Sequence, residues 1–502
     1  MAVVIETSDG AFIDHAKALE KVYAKVQINT QTVGSCSLSS ELFDIHEPYK
    51  MDSQVLAEQT SKEKGVAQRK RKRKRKSELN IGEMEAKKYH SQIVQRVTDV
   101  HKKLIDKARM MGIIPDKREF VSSLARKDMQ NKEDLEVGDK ASESNMLDNN
   151  IAARGAARIR VGDTSLIDVC QTEAPPTDSQ PPVTEMTEHI KLSACVNRVV
   201  SNNWSIPRLC CFDSETYIIP HKSSFLLSDF NYLKNIYPTS DEDKYDLIVI
   251  DPPWQNKSVK RKKMYGSLRD EDLLSICMQK LATPGCLVVV WVTNRMKHLE
   301  FVKETLFPKW SVTHVAEWHW LKVTKYGEMI YDINSDHKKP YEIILIGQYN
   351  ELQPSKLFTG QSTSSENFTK ERKEEIARTY SDNVESSMLG TSVKTDNEGK
   401  VIVTDSGGSS VVGIPENDGS KEFFSACGKN EKEREMFPES QVIISIPCAL
   451  HSVKPPLFEV LKKYLKENPR CLELFARNLW PHWTSWGNEV LCHQHIDFYE
   501  FK

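Results

Sequence analysis

Short apolar segments alternate with segments of helical periodicity in the second half of the chain. Apolar residues recur at the spacing of one helix face over Asp270 to Leu281, Met296 to Leu306 and Pro456 to Leu465. Between these segments lie short runs of β-branched and aromatic residues, bounded by turn formers, which predict strands: Asp246 to Ile250, Cys286 to Trp291, Val315 to Trp320, Ile343 to Ile346, Val442 to Ile446, Cys471 to Phe475 and Glu489 to Cys492. Because strands and helices alternate, the pattern predicts an α/β fold with a doubly wound, mostly parallel sheet.

The same pattern divides the chain into regions. The folded domain is predicted at 191–357 and 440–502, because the segment 358–439 between them is rich in Ser, Thr, Asn, Glu and Gly. So long a polar segment inside a domain predicts a disordered insert. A disordered linker is predicted at 126–190, where large apolar residues are few. Residues 1–60 mix short β-like pieces with polar connectors, and a small accessory lobe is one interpretation of them.

The region 61–125 combines a charge run with an amphipathic helix. Arg69 to Lys76 are consecutive cations, and their mutual repulsion forbids burial. Such a run is typical of nuclear import or phosphate binding, with a solvated linker as the alternative. We therefore predict a nuclear protein, with the cytosol as the second location. From Glu78 to Gly112 one apolar face predicts a helix that packs on the folded domain or on a nucleic acid; its members are Ile93, Val97, Val100, Leu104, Ala108 and Met111.

Composition excludes several classes of protein. The mean hydropathy is −0.51, and no apolar stretch approaches the ~20 residues that a membrane span needs. The N-terminus lacks a secretory signal pattern, so a soluble protein is expected. Eleven scattered cysteines without a Cys-x-x-Cys pair argue against a disulfide framework and against zinc. Cys492-His493-Gln494-His495 is interpreted as the surface of a terminal strand, because no second half-site exists.

Four residues at the end of the first predicted strand carry candidate chemistry. Asp251, Pro252, Pro253 and Trp254 follow the apolar run that ends at Ile250. Ligands of open α/β sheets bind beyond the carboxyl ends of the strands, so Asp251 is expected to face a pocket. The Asp251 carboxylate and the Pro252 carbonyl can accept the hydrogens of an exocyclic amine, and Trp254 offers a flat stacking surface. The alternative is a proline turn with Trp254 in the core.

Five sequence blocks together give the chain a specific resemblance to a known family. They are Asp251-Pro-Pro-Trp-Gln-Asn-Lys-Ser-Val-Lys-Arg, Trp291-Val-Thr-Asn-Arg, Ala316-Glu-Trp-His-Trp, His337-Lys-Lys-Pro-Tyr-Glu and Leu474-Phe-Ala-Arg-Asn. In this order they resemble the DPPW-type (MT-A) adenine-N6 methyltransferase family, over about Phe225 to Phe498 with an insert. The resemblance implies a Rossmann-like catalytic domain with the catalytic motif before the cofactor motif. It also implies S-adenosyl-L-methionine as methyl donor and no metal.

The resemblance also implies which residues bind the donor. Asp229 and Phe230 would contact its adenine, and Lys454, in His451-Ser-Val-Lys-Pro455, would meet its methionyl carboxylate. The other residues expected around the donor are Asp251, Phe475, Arg477, Asn478, Asn488 and Glu489. For Glu473 a charge at the strand edge and a direct contact remain equally open. The chain departs from the family pattern at Trp480-Pro-His482, where Gln-Pro-Gly is usual, and at Met264-Tyr-Gly266, where Arg-Tyr-Ser is usual.

Two basic loops are candidate contacts for the substrate. The first contains Lys257, Lys260, Arg261, Lys262 and Lys263, and the second contains His337, Lys338 and Lys339. Cations beside a ring stacked on Trp254 or Tyr265 suit a splayed single-stranded nucleotide, which favours RNA over duplex DNA. The resemblance suggests 2′-O-methyladenosine in spliceosomal small nuclear RNA. Adenine in DNA and a catalytically silent RNA-binding subunit are the alternatives, although Asp251, Trp254 and Lys454 are all present. Protein partners are not predicted.

Overall fold

The structure is a computed structural model that describes residues 2–29, 32–49, 81–117, 184–254, 269–335, 338–351 and 436–502, together with four two-residue strands outside these ranges. Its main element is a sheet of twelve strands. In chain order its strands are β1 (Val3–Thr7), β2 (Gly10–Ile13), β3 (Thr184–Glu185), β4 (Val199–Ser201), β5 (Ser224–Leu227), β6 (Tyr245–Ile250), β7 (Ala282–Val292), β8 (Val312–Lys322), β9 (Tyr341–Tyr349), β10 (Val442–Ser445), β11 (Cys471–Leu474) and β12 (Trp483–Gly487). They lie in the order β1-β2-β10-β8-β9-β7-β6-β11-β12-β5-β4-β3.

Most neighbours in this sheet are parallel. The pairs β1–β2, β8–β9, β7–β9 and β4–β5 are antiparallel, and the remaining neighbours run parallel. The strand β6 lies between β7 and β11, and all of its residues are buried. A β-branched strand covered on both faces is typical of a parallel sheet, so the predicted doubly wound, mostly parallel α/β fold is confirmed.

Smaller strands flank the main sheet. Arg208–Phe212, Glu215–Ile219, Val26–Gln27, Val33–Gly34 and His189–Ile190 form a second sheet, and Cys36–Leu38 pairs with Tyr499–Phe501. Two further hairpins are short antiparallel pairs: Arg160–Val161 pairs with Thr164–Ser165, and Lys394–Thr395 pairs with Val401–Ile402. The second of these hairpins belongs to a separate unit, Gln353–Arg434. The predicted insert 358–439 lies almost entirely outside the described residues, and so does most of the linker at 126–190.

Helices cover the faces of the main sheet. The α-helices are α1 (His15–Val22), α2 (Ile81–Met110), α3 (Met278–Leu281), α4 (Met296–Glu300), α5 (Phe307–Lys309) and α6 (Phe458–Leu461), and a π-helical segment, Phe301–Leu306, joins α4 to α5. Short 3₁₀ helices occupy Ser40–Phe43, Leu192–Ala194, Phe230–Ile236, Asp241–Asp243, Asp270–Ser275, Lys462–Tyr464, Cys492–Gln494 and Ile496–Phe498. The predicted helix over 270–281 is therefore broken before α3. None of the described helices is long and apolar enough to cross a bilayer.

The long helix α2 confirms the prediction for residues 78–112. Its predicted apolar face is buried at Ile93, Val97, Val100, Leu104 and Ala108, whereas Met111, just beyond its end, is 55% exposed. The helix ends before Gly112, whose φ is +66°, a value that glycine adopts without strain. Polar contacts fix it to β8: the Tyr89 hydroxyl donates to Glu317 at 2.6 Å and lies 2.8 Å from His319 Nε2.

The N-terminal residues join the main sheet. Strand β2 pairs in parallel with β10, and Gly10 lies so close to Val442 that an added Cβ would meet its carbonyl oxygen at 2.3 Å. Sequence analysis offered a small accessory lobe at 1–60 as one interpretation. In the structure Met1–Leu352 and Glu435–Lys502 form one unit, because β1 and β2 complete the edge of the sheet beside β10.

One predicted strand is wrong. Residues 489–492 form a turn that leads into a 3₁₀ helix at Cys492, and the strand lies upstream at β12. Val490 and Leu491 are fully buried, which explains why their apolar character resembled a strand. The strand β12 pairs with β11 and β5, and three of its five residues, Trp483, Thr484 and Trp486, are of types that favour strands.

Candidate active site

Asp251 lies where β6 ends, beside the end of β11. Its backbone N–H donates to the Leu474 carbonyl at 3.3 Å, and its side chain is 14% exposed. The chain continues from β6 to β7 on one side, while β11 lies on the other, so Asp251 occupies the crevice where open α/β sheets bind ligands. Lys454 Nζ is 3.6 Å from its Oδ1 and Arg477 Nη1 is 3.8 Å from its Oδ2. Burial raises the Asp251 pKa, and these two cations oppose that shift only in part.

Lys454 is held between two carboxylates. Its ammonium donates to Glu342, which also accepts a hydrogen bond from Lys322. Burial alone would lower the Lys454 pKa, but Asp251 and Glu342 outweigh it, so the pKa lies above its ordinary value. The ammonium also lies 4.9 Å from the centre of the Trp291 ring, within range of a cation–π contact. Lys454 is therefore a fixed positive charge in the crevice.

Arg477 and Glu489 form a second charged pair beside Asp251. Arg477 Nε donates to Glu489 Oε2 at 2.9 Å, and Glu489 is 3% exposed. Burial raises the Glu489 pKa, and the guanidinium opposes that shift. Asn488, which precedes Glu489 in the chain, is half-buried. The ion pair therefore holds Arg477 with a terminal nitrogen directed at Asp251 Oδ2.

An aromatic cluster adjoins the end of β11. The rings of Phe230 and Phe475 are stacked with centroids 6.3 Å apart at an angle of 7°, and the Trp486 ring lies 4.8 Å from Phe475. Phe475 has a φ of +62°, the left-handed region, which turns the chain sharply after the strand. Asp229 caps the following 3₁₀ turn by accepting the Asn231 N–H at 2.8 Å. Phe230 and Phe475 thus meet as a flat apolar surface.

A cavity of about 910 Å³ opens beside Asp251. It is lined by Asp251, Lys454, Phe475, Arg477 and Asn478, all of which the sequence predicted, together with Glu473. Asp229 and Phe230 follow β5, and Asn488 and Glu489 follow β12; these four residues do not line the cavity. Five residues from three predicted blocks therefore share one cavity.

Comparison with known proteins decides the family. The MT-A70 family model matches residues 245–382 and 384–489. These residues form an MT-A70 family domain. The chain is 40% identical to the human N(6)-adenine-specific methyltransferase METTL4 over 302 residues, which are 60% of this chain and 49% of that protein. The mouse METTL4 is 37% identical over 60% of this chain and 49% of its own length. The chain therefore spans about half the length of these curated relatives.

Other relatives differ in the nucleic acid that their names record. A Caenorhabditis elegans protein named DNA N6-methyl methyltransferase is 25% identical over 97% of both chains. The N6-methyladenosine RNA methyltransferase MTA1 of Cryphonectria parasitica is 27% identical over 63% of this chain and 75% of its own length. The predicted DPPW-type family is confirmed, and both RNA and DNA occur among the names of the relatives.

Trp254 is buried in the MT-A70 domain. It is 8% exposed, its Nε1 donates to the Trp291 carbonyl at 2.8 Å, and its ring stacks on His298 at a centroid distance of 4.7 Å. The ring therefore lies in the hydrophobic core, as in the alternative of a proline turn with Trp254 in the core, and one of its faces is covered by His298. The Pro252 carbonyl accepts the Trp254 backbone N–H at 2.7 Å, which leaves this oxygen one further lone pair. Pro253 lies between them in the turn.

The predicted substrate loops fall largely outside the described residues. This holds for Lys257, Lys260, Arg261, Lys262, Lys263, Tyr265 and His337, and also for the departure at Met264 and Gly266. Lys338 is exposed, with its ammonium 5.4 Å from the centre of the Tyr331 ring. Lys339 donates to the Ile333 carbonyl at 3.1 Å. Neither lysine lines the cavity, so their role as substrate contacts stays a prediction.

The histidines near the C-terminus serve packing. His493 is 7% exposed, and burial lowers its pKa to about 3. His495 Nε2 lies 2.9 Å from Glu215, which ties the C-terminal segment to the second sheet. Among the described residues no group of three His, Cys, Asp or Glu side chains is placed to hold a metal.

Sequence reasoning did not identify Glu342 and Lys322 as parts of the site. Glu342 lies second in β9, between Tyr341 and Ile343, so a lone carboxylate inside an apolar strand was the available signal. Its partner Lys454 lies 112 residues away in the chain. Such a pairing depends on the strand order and could not be derived from local pattern.

Proposed function

We propose that the protein is an S-adenosyl-L-methionine-dependent adenine-N6 methyltransferase that acts on RNA. The observation that supports this proposal most strongly is the position of Asp251. It lies between Lys454 and Arg477 at the carboxyl end of β6, in a cavity of about 910 Å³. The MT-A70 domain supports this activity. Relatives whose names record N6-adenine methylation support it too.

The residues present fit the donor. Lys454 would pair with the carboxylate of the methionyl group, and Arg477 and Asn478 would donate hydrogen bonds to the ribose. The Phe230–Phe475 stack offers an apolar surface to the adenine ring, and Asp229, Asn488 and Glu489 lie at neighbouring strand ends. When bound, the donor supplies an electrophilic methyl group on a sulfonium.

Asp251 and Pro252 would orient the acceptor amine. The Asp251 carboxylate and the remaining lone pair of the Pro252 carbonyl can each accept one hydrogen of an exocyclic amine. These hydrogen bonds favour a pyramidal nitrogen with its lone pair directed at the donor. Catalysis is then a matter of positioning and electrostatics and needs no histidine base.

RNA is our proposed target, with 2′-O-methyladenosine in small nuclear RNA as the specific substrate. Enzymes that modify a base must take it out of its stack, which costs less in unpaired RNA than in duplex DNA. A DNA adenine methyltransferase is the second candidate, because the Caenorhabditis elegans relative named for DNA aligns over 97% of this chain. A silent RNA-binding subunit is disfavoured, because Asp251 and Lys454 are assembled in one cavity.

Single-turnover methylation separates these functions. The full chain is given matched RNA and DNA oligonucleotides with one adenosine each, with and without a 2′-O-methyl group. We expect transfer to RNA, faster with the 2′-O-methyl group. Equal rates with and without that group would refute the small nuclear RNA assignment, preference for DNA would favour the second candidate, and no transfer to any oligonucleotide would contradict the proposal.

The variant Asp251→Ala tests the role of the carboxylate. It should abolish transfer but leave the donor Kd within about tenfold, or roughly 1.4 kcal/mol, because Asp251 acts mainly on the acceptor. Calorimetry on the variant and on the wild type gives both values. A much larger loss of donor affinity would assign Asp251 to the donor site instead.

We also propose that Arg69 to Lys76 direct the protein to the nucleus. Replacing these residues with Ser and Gly should move the protein to the cytoplasm without changing its activity on short oligonucleotides. Unchanged nuclear staining of the variant would contradict this assignment.

A further inference from the structure

The charged side chains nearest Asp251 pair off, with one exception. Lys322 and Lys454 contact Glu342, Lys454 and Arg477 contact Asp251, and Arg477 contacts Glu489. Three cations therefore balance three carboxylates. The exception is Glu473, a carboxylate in the cavity wall that has no hydrogen bond or ion pair within the described part of the chain.

Glu473 points to the same face of the sheet as Asp251. In the sheet register it lies opposite Val249 of β6 and Ser485 of β12. Alternate residues of a strand face the same side, so Val249 and Asp251 share the face of Glu473. Glu473 therefore lies in the wall of the cavity beside Asp251.

We propose that Glu473 makes this cavity prefer the charged methyl donor over its uncharged thioether product, an inference that rests on the proposed function. S-adenosylmethionine carries an ammonium, a carboxylate and a sulfonium, a net charge of plus one. S-adenosylhomocysteine has lost the sulfonium charge and is net neutral. With the six charges nearest Asp251 balanced, an ionised Glu473 complements the sulfonium of the donor, so the spent product is released more readily than the donor.

Proton linkage makes the preference depend on pH. Burial raises the Glu473 pKa to about 8, the Asp251 charge adds to this shift and Arg477 opposes it. The other charged groups that line the cavity are Lys21, Lys222, Lys454, Glu459, Lys462, Lys466, Glu467 and Arg470. Of these, Glu459 pairs with Lys462, Lys466 with Asp246 and Arg470 with Asp243. At pH 7 Glu473 is therefore mostly protonated before binding. A sulfonium favours the carboxylate, so donor binding releases close to one proton to solvent, while product binding releases none.

The expected sign follows from this release. Donor affinity should rise by up to tenfold per pH unit between about pH 6.5 and 8, and level off once Glu473 is ionised in the free protein. Product affinity should stay constant over the same range. The ratio of the two Kd values therefore grows with pH up to about 8.

Titration calorimetry of the full chain tests the proposal. The probes are S-adenosylmethionine, S-adenosylhomocysteine and sinefungin, in which an amine-bearing carbon replaces the methylsulfonium. Measurements at pH 7 in two buffers of different ionisation enthalpy count the protons released. The wild type should release close to one proton with S-adenosylmethionine and with sinefungin, whose ammonium restores the charge, and none with S-adenosylhomocysteine.

The variant Glu473→Gln should remove the proton release and bring the donor and product affinities within about twofold of each other. Its matched control is Glu459→Gln, a carboxylate that lines the same cavity but pairs with Lys462 at 3.0 Å, and this control should behave as the wild type. Proton release that persists in Glu473→Gln but disappears in Asp251→Asn would overturn the assignment. The proton count of the wild type decides the matter even if Glu473→Gln does not fold.

The outcomes separate this inference from the proposed function. If neither S-adenosylmethionine nor S-adenosylhomocysteine binds the wild type, both the function and the inference fail. If both bind equally, without proton release at any pH from 6.5 to 8.5, the cofactor assignment stands and the role of Glu473 is refuted.

Discussion

Replacing Glu342 with glutamine is expected to destabilise the MT-A70 domain. Glu342 accepts hydrogen bonds from both Lys322 and Lys454, and its side chain is 28% exposed. The glutamine side chain keeps the shape but removes the negative charge, so two partly buried ammonium groups lose the carboxylate that they share.

The magnitude follows from the burial of the partners. The side chains of Lys322 and Lys454 are 21% and 16% exposed. At a distance of 4 Å each pair attracts by about 4 kcal/mol at an effective dielectric constant near 20, and desolvation offsets part of this. Lys454 keeps Asp251 as a partner, so we expect a net loss of about 3 kcal/mol, at the lower end of what removing one partner of a buried pair costs.

Urea unfolding at pH 7 measures the loss. With an m-value of about 3 kcal/mol/M, the midpoint should fall by about 1 M. The control is Asp9→Asn, which removes the partner of Lys103 in a pair that is about half exposed on both sides, and should cost less than about 1 kcal/mol. A midpoint shift for Glu342→Gln no larger than that of the control would refute the reasoning.

The pH dependence gives a second check. Burial would raise the Glu342 pKa, but Lys454 and Lys322 outweigh it, so the pKa lies well below its ordinary value. A carboxylate whose pKa falls on folding contributes fully to the free energy of unfolding above its pKa in the unfolded chain, which is about 4.3 for Glu. This contribution disappears as the pH falls through the pKa of the folded state. The difference between the wild type and Glu342→Gln should therefore be constant from pH 6 to 7 and shrink below about pH 4.

Three further predictions concern the frame around the site. His482→Gly should stabilise the protein by about 1 kcal/mol in urea unfolding, because His482 has a φ of +65°, which costs an L-residue about that much; a loss of stability would mean that its ring contact with His221 matters more. Tyr89→Phe should cost about 1–3 kcal/mol, because the half-buried Glu317 loses a hydrogen bond of 2.6 Å, and unchanged unfolding would mean that α2 is not fixed to β8 by this contact. Gly10→Ala should cost about 1–3 kcal/mol, because the new Cβ would clash with Val442, and a neutral effect would contradict the close pairing of β2 with β10.

The sequence reveals those parts of the site that depend on local pattern. Asp251 could be placed at a strand end, because Leu247 to Ile250 form a continuous apolar run and the prolines mark its end. The grouping of Asp251 with Lys454 and Arg477 came from family resemblance, and their distances depend on the strand order. Glu342 was missed because its partners lie in other parts of the fold, far away along the chain.

Short strands were harder to predict than long ones. Strands β3, β4 and β5 contain two to four residues each, too few for a period to be read, and they are held by pairing rather than by propensity. Residues 2–13 were not assigned to the sheet for a similar reason, since their partner β10 lies more than 400 residues away. Long-range pairing of this kind leaves no local signal.

The short connection between β11 and β12 explains the unusual backbone conformation of the segment that carries Arg477 and Asn478. Parallel neighbours usually need a crossover of a dozen or more residues, often a helix, but 475–482 contains eight. The chain meets this limit with positive φ at both ends, at Phe475 and at His482, and with Gly487 so close to Ala476 that a Cβ would lie 2.5 Å from its carbonyl oxygen. Because the loop is short and anchored at both ends, Arg477 and Asn478 are held at the cavity. The short crossover requires a positive φ at residue 482, which the glycine of the family pattern adopts without strain. His482 adopts the same φ at a conformational cost.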